Sequence, residues 1–330
     1  LKYMHNTKLN ILVLCGRYGL SGVPIAQQRL AQFLSERGHN VTFMPLYATT
    51  DLVIDHEIRY RYQVPGIPSV LKAIPFLVFF FARKRFNLIF SAGDHLNAVC
   101  LLCLLLSFSR SKICCSSRVT PFDTYLNYKK PFSRSWFIYW LILLLSWRCS
   151  LFSCVSRDMA AQYSSIFTAI PFVPIYNPIE VDTSWRQLKK TWTDPFPNSR
   201  HHLLAVGSLE EWKGFDTLIK ALAYIPNRHL YHLLIAGEGS QRSVLLKLIT
   251  DLNLNSCVTL LGNIRDLRRF YAFADIFILS SRLEGMPNVL LEALAHDCSI
   301  VSTSCPTGPS ELLACGAGIL VPVDDYKSMS

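Results

Sequence analysis

The residues best placed for chemistry lie in Ser280–Leu294, where an apolar run of strand length, Ala274–Leu279, passes through Gly285-Met286-Pro287 into a segment with helical spacing. Pro287 suits the first helical position, so the backbone N–H groups from Gly285 through Met286, Asn288 and Val289 to Leu290 form the amino end of a helix. Such an end binds phosphate or sugar oxygens. Glu284 precedes the helix and Glu292 falls more than one turn inside it, so the two carboxylates reach different depths and could each hold a different hydroxyl pair. Two glutamates near a helix start also serve simply as a dipole partner and a solvated residue, and spacing alone leaves both readings open. Lys213, in Glu210–Asp216, falls between a strand and a helix, where an ammonium can meet a diphosphate or just face solvent. Farther upstream, His95 follows the strand-like run Phe86–Ser91 and is either a general base or a hydrogen-bonded capping group.

These residues need a scaffold, and the chain supplies strands and helices in alternation. Leu9–Gly16 is followed by a glycine turn containing Gly19 and Gly22, then by helical periodicity over Ile25–Arg37. Further strands are expected at Gly38–Met44, Phe86–Ser91, Ser111–Ser117 and Cys149–Ser156, with Ser156 capping a helix that runs towards Phe167. Alternation of this kind makes a parallel sheet, whose ligands gather beyond the carboxyl ends of the strands. The polar residues at those ends are Ser91, Asp94, His95 and Asn97, then Arg118, Thr120, Asp123 and Thr124. The texture changes at Pro171–Pro178, and Asp182–Arg200 is polar without a clear period. A second series follows at His202–Ser208, Leu233–Gly237, Val258–Gly262, Ala274–Leu279 and Ser299–Thr303. The expected organisation is a domain over 1–178, a linker over 179–200 and a second domain over 201–330. Two such α/β domains joined by a hinge would enclose a cleft.

Composition narrows the class. The 330 residues are 51% hydrophobic and 17% charged, enough for two cores and incompatible with disorder. Residues 1–178 carry 19 Lys and Arg against 7 Asp and Glu, whereas 179–330 carry 14 against 16, so the formal charge of +10 belongs to the first half. That half also holds the apolar tracts Ile74–Phe81, followed by Arg83-Lys84-Arg85, and Trp136–Leu145. Neither reaches the ~20 residues of a membrane span. Flanked by cations, they read either as segments resting on an anionic membrane face or as buried helices with solvated basic ends. Nucleic acid is not expected, because the positive charge coincides with apolar tracts. The 11 cysteines show no paired framework, and Cys100-Leu-Leu-Cys103 sits in an apolar run that favours packing over zinc.

Read together, Val206-Gly207-Ser208-Leu209 with Lys213-Gly214-Phe215, Ala236-Gly237-Glu238-Gly239, Ser281–Glu292 and Pro306–Glu311 resemble the donor-binding half of retaining glycosyltransferases of family 4, particularly those that build bacterial surface polysaccharides such as lipopolysaccharide or capsule. The resemblance covers roughly residues 200 to 325. It implies two Rossmann-like domains facing across a cleft, the GT-B fold, with a nucleotide-sugar donor in the second and a lipid-linked or cell-surface glycan acceptor in the first. It implies that Glu284 contacts donor-sugar hydroxyls, that Glu292 holds the ribose and that Lys213 meets the diphosphate. Gly207, Ser208, Gly237, Gly285, Met286, Pro287, Asn288 and Val289 would complete the donor site, and His95 would be a further catalytic candidate. Gly19, Gly22 and Arg118 would form an acceptor or diphosphate loop. The reaction would transfer a hexose or N-acetylhexosamine, most simply from UDP, with no cofactor and no bound metal. The protein would work in the cytoplasm, peripheral on the inner face of the cell membrane.

Three departures stand out. Ser208 replaces a usual arginine, which leaves Arg17 or Arg282 to supply the missing cation; Asp297 replaces a usual glycine; and the chain stops soon after Asp325, so a truncated C-terminus is expected. The alternative reading is an inactive remnant or a membrane-attached scaffold of a polysaccharide assembly complex. A sugar phosphorylase or epimerase would share the architecture, but no cofactor lysine stands out.

Overall fold

A computed structural model describes residues 8–19, 22–48, 61–121, 129–179, 183–196 and 201–330. Asp123, Thr124 and parts of the expected linker (180–182 and 197–200) lie outside the described residues. The chain forms two compact units, Leu1–Pro178 and Ile179–Ser330.

The first unit is a seven-stranded parallel sheet in the order β3-β2-β1-β4-β5-β6-β7. Its strands are β1 (Asn10–Tyr18), β2 (Asn40–Ala48), β3 (Arg61–Tyr62), β4 (Leu88–Ala92), β5 (Lys112–Ser117), β6 (Leu151–Cys154) and β7 (Phe172–Pro174). Strands so apolar must be covered on both faces. The helices following in chain order are α1 (Gly22–Glu36), α2 (Ile74–Arg83), α3 (Asp94–Leu106), α4 (Arg134–Leu145) and α5 (Arg157–Ile166). Ser156 accepts a hydrogen bond from the Met159 N–H, which caps α5 as its sequence position predicts. The order changes direction at β1 and β4, the kind of position at which ligands enter such sheets.

The second unit opens with α6 (Trp185–Leu188), then builds a six-stranded parallel sheet in the order β10-β9-β8-β11-β12-β13. Its strands are β8 (His201–Val206), β9 (Tyr231–Ala236), β10 (Val258–Gly262), β11 (Ile276–Leu279), β12 (Ser299–Thr303) and β13 (Ile319–Val321). Two apolar clusters sandwich it, one around Leu218, Ile219, Leu222 and Ile249, the other around Leu204, Phe277, Leu290 and Ile300. The helices include α7 (Phe215–Tyr224), α8 (Arg242–Asp251), α9 (Arg268–Phe273), α10 (Asn288–Ala295), α11 (Pro309–Leu312) and α12 (Tyr326–Met329). Residues 183–196 pack here because Trp185 is buried and its indole N–H donates to the Ala295 carbonyl at 3.3 Å.

Pattern reading missed β3, β7 and β13, which have two, three and three residues. Runs that short carry too few alternations to be recognised. All 11 thiols are unpaired; Cys100 and Cys103 are buried in the first unit's core, and burial pushes both up to about 12. No described helix is long and apolar enough to cross a membrane.

Candidate functional site

In the second unit three loops at the carboxyl ends of β8, β11 and β12 converge on Glu284. The first runs from Gly207 to Gly214. Gly214 has φ +63°, and a Cβ there would lie 2.1 Å from the Ser280 carbonyl oxygen, so this contact requires glycine. Ser280 Oγ donates to the Lys213 carbonyl at 2.8 Å and the Arg282 N–H to the Trp212 carbonyl at 2.7 Å, stapling the Lys213 turn to the segment after β11. Lys213 then lays its stem along Gly207, whose missing side chain would stand 3.5 Å from Lys213 Cδ. The third loop closes from the other direction: Gly308, φ +92°, sits where a Cβ would be 2.8 Å from Pro287, and the Thr307 hydroxyl donates to the Glu284 carbonyl.

This convergence brings Lys213 Nζ to 2.5 Å from Glu284 Oε1, with side chains 18% and 10% exposed. Ser281 Oγ donates to the same oxygen at 2.7 Å. Among the described residues, Glu284 Oε2 has no protein donor, so one carboxylate oxygen is held while the other remains available to a hydroxyl. Ser281 is itself fixed, its carbonyl accepting from Thr303 Oγ1 at 2.5 Å.

Helix α10 begins one residue later than expected, with Pro287 as its N-cap rather than its first helical residue. Its ψ of 103° is extended, and its carbonyl accepts from the Leu290 N–H at 3.1 Å. Gly285 and Met286 are buried, Met286 in the core, so that side chain faces packing and only backbone is offered there. Asn288 and Val289 are half-buried in the first turn. Glu292, the fifth residue of α10, accepts from the Tyr271 hydroxyl at 3.2 Å, and its carbonyl meets His296 Nδ1 at 2.8 Å. Lys213 and Glu284 are therefore in direct contact, whereas Glu292 is positioned by α9.

Gly237, φ +144°, lets the loop after β9 pass where a Cβ would lie 1.8 Å from the Gly207 carbonyl. Ser208 is exposed. Arg282, one of two cations considered for the missing arginine, is committed elsewhere: Nε meets Asp324 at 2.7 Å, Nη2 meets Asp216 at 2.9 Å and Nη1 meets the Glu211 carbonyl. Arg17 is exposed on β1 of the first unit. A hollow of about 310 Å³ is lined by Glu210, Glu211 and Asp216 together with Lys220 and Arg282, and both of these cations are already paired with Asp216. Asp297 has φ +60°, which explains the preference for glycine there, and it pairs with Arg186 at 2.6 Å.

The first unit shows a second polar cluster at the carboxyl ends of β4 and β5. Asp94, buried at the start of α3, accepts from Ser117 at 2.6 Å and Tyr163 at 2.5 Å. His95 lies in the same helical turn, half-buried. Arg118 donates to Asn177, and burial holds its guanidinium down to about 10. Gly19 forms a bend after β1 and Gly22 starts α1. Among the described residues no group of three or more His, Cys, Asp or Glu is arranged to hold a metal.

Ser281 and Thr307 lie inside the motifs Ser281–Glu292 and Pro306–Glu311, but the sequence assigns them no role; Tyr271 lies 21 positions from Glu292 and carries no sequence signal.

Comparison with known proteins follows the same division. Residues 200–330 match the family described as glycosyl transferases group 1. The lipopolysaccharide core biosynthesis glycosyltransferase LpsE of Rhizobium meliloti is 38% identical over 129 residues, 39% of this chain and 37% of that protein. A Campylobacter jejuni enzyme named as an N-acetylgalactosamine-N,N'-diacetylbacillosaminyl-diphospho-undecaprenol 4-alpha-N-acetylgalactosaminyltransferase is 38% identical over 128 residues, 38% of this chain and 34% of that protein. The chain thus aligns with less than two-fifths of the length of either relative. Anabaena Alr3699/HepE, solved in complex with UDP, superposes with a TM-score of 0.71 at 18% identity, over 97% of this chain and 88% of that one. Sucrose-phosphate synthase from Thermosynechococcus elongatus gives 0.77 at 19%, over 98% and 88%. The fold is the one these structures share, GT-B, with two Rossmann-like units.

Proposed function

We propose, on the premise that residues 200–330 belong to the group 1 glycosyl transferases, that the chain is a retaining glycosyltransferase of surface-polysaccharide assembly. It moves a hexose or N-acetylhexosamine from a nucleotide sugar, UDP-linked, to a lipid-linked or cell-surface glycan. The observation that carries this reading is the contact of Lys213 with Glu284 at 2.5 Å, which leaves Glu284 Oε2 available at the amino end of α10.

The donor diphosphate lies against Lys213 and the α10 amino end, which stabilise the negative charge that develops as the sugar C1–O bond to phosphate breaks. Glu284 Oε2 accepts from a sugar hydroxyl and fixes the ring. The acceptor hydroxyl attacks C1 from the face the phosphate leaves, and its proton passes to the departing phosphate oxygen, giving UDP and a product of unchanged configuration. Glu292 holds the ribose hydroxyls. Ser208 adds no charge and Arg282 is held by two acids, Asp216 and Asp324, against the single partner of Lys213, so Lys213 is the cation assigned to the diphosphate.

The chain would rest on an anionic membrane face through α4. Its Ile138, Ile142 and Leu145 face inward, while Phe137, Trp140 and Leu144 remain 55%, 42% and 65% exposed beside Phe132 and Trp147. Between residues 61 and 157 the sequence holds 13 Lys and Arg against Asp94 and Asp123 alone, a balance suited to anionic lipid.

The test is UDP release from a panel of UDP-sugars with a lipid-diphosphate glycan acceptor and a chelator present, followed by assignment of the product anomer. Turnover with retention, lost in Glu284→Ala, is expected. A folded protein that neither binds nor turns over any nucleotide sugar would overturn the reading and leave the scaffold alternative.

A further inference from the structure

A second polar concavity lies at the pole of the first unit opposite the strands' carboxyl ends. A cavity of about 930 Å³ opens across the N-terminal ends of four adjacent strands, β3-β2-β1-β4. That volume falls within the ~300–1,000 Å³ of small-ligand sites. Four cations line it: Lys8 before β1, Arg61 opening β3, and Lys84 with Arg85 before β4. Asn10, Asn40, Thr42 and Gln63 supply neutral polar groups, and no described lining residue is an acid.

The pairing of its charges separates this cavity from an ordinary solvated basic surface. Among the described residues none of the four cations has a carboxylate partner; Lys84 only lies over the Phe80 ring, 5.2 Å from its centroid. Four like charges around one concavity form an arrangement that a multiply charged ligand would relieve. Hydrogen bonds link the strands along its floor: the Asn87 side chain accepts from the Asn10 N–H at 2.8 Å, and Asn40 donates to the Asn10 side chain at 3.0 Å.

We infer that this cavity binds a phosphate-bearing anion, a phosphomonoester or diphosphate, through Arg61 and Arg85 as bidentate partners and Lys8 and Lys84 as point charges. It is independent of the donor site, because it belongs to the first unit and uses none of the residues around Glu284. The chemistry is shared by an anionic lipid headgroup and by a soluble phosphorylated molecule.

The experiment is titration calorimetry with inorganic diphosphate on the full chain carrying Lys213→Ala, which removes the proposed donor-site cation, with and without Arg61→Gln and Arg85→Gln. Both arginines are exposed, and circular dichroism checks that the variant remains folded. Binding should persist in the Lys213→Ala background and weaken by about tenfold or more for each arginine replaced. A second arm compares phosphatidylcholine vesicles doped with phosphatidic acid against vesicles doped with phosphatidylglycerol. Preference for phosphatidic acid that the double substitution removes assigns the site to a lipid headgroup, whereas diphosphate binding without that preference assigns it to a soluble anion. No diphosphate binding in the Lys213→Ala protein, or binding that the two arginine substitutions leave unchanged, overturns the inference.

Discussion

Replacing Glu284 by glutamine should tighten the binding of UDP while stopping sugar transfer. The Lys213 ammonium is paired with Glu284, 2.5 Å from its carboxylate in a site where the two side chains are 18% and 10% exposed. At an effective dielectric near 20 the gross attraction is about 6–7 kcal/mol, and the desolvation of both groups offsets most of it. A net coupling of about 1–3 kcal/mol remains, typical of contacting charged residues. An arriving diphosphate must draw Lys213 from this partner or share it. Glutamine keeps the volume and can still accept from Ser281, but it removes the competing charge, so the Kd for UDP should fall about 5- to 100-fold. UDP carries no sugar and loses nothing with the carboxylate, whereas a UDP-sugar loses the acceptor for its hydroxyl. Calorimetry on the wild type, Glu284→Gln, Lys213→Ala and the double variant separates these contributions. Lys213→Ala should weaken UDP by about 10- to 100-fold, and in that background most of the gain from Glu284→Gln should vanish. Weaker UDP binding to Glu284→Gln, or a gain undiminished by Lys213→Ala, would refute the argument.

Other expectations follow from the same geometry. Gly214→Ala forces a Cβ towards the Ser280 carbonyl in a left-handed turn and should cost at least about 3 kcal/mol in urea unfolding, with loss of UDP binding as the Lys213 turn detaches. Asp297→Val should be about 1–2 kcal/mol less stable than Asp297→Gly, because a β-branched residue at φ +60° is strained where glycine is not; equal midpoints would remove this explanation. Burial alone would raise the Asp216 carboxyl, but Arg282, reinforced by Lys220, holds it below the usual carboxylate range. Its contribution is therefore present above the unfolded value of about 4 and lost as pH falls through the folded one, so the wild type should lose stability in acid more steeply than Asp216→Asn. Trp140→Ser with Leu144→Ser should reduce flotation with phosphatidylglycerol vesicles at least about tenfold without changing UDP binding; unchanged flotation would exclude α4 as the membrane face.

What sequence alone made legible was local. The strand that ends before Glu284, the glycine-proline turn, the helix carrying Glu292 and the Ser156 cap each leave a signature within a dozen residues, because backbone restriction and side-chain period act over that distance. The placement of Lys213 in a turn between strand and helix was equally readable. Its contact with Glu284 was not, because the two residues stand 71 positions apart and meet only because the β8 and β11 turns are joined by Gly214 and Ser280. The same reason hid Tyr271 behind Glu292 and Arg282 behind Asp216 and Asp324. Sequence could nominate Arg282 as a spare cation, since charge is a property of a residue. Whether that charge is available depends on which carboxylates the fold brings within hydrogen-bond reach, and tertiary packing alone decides it.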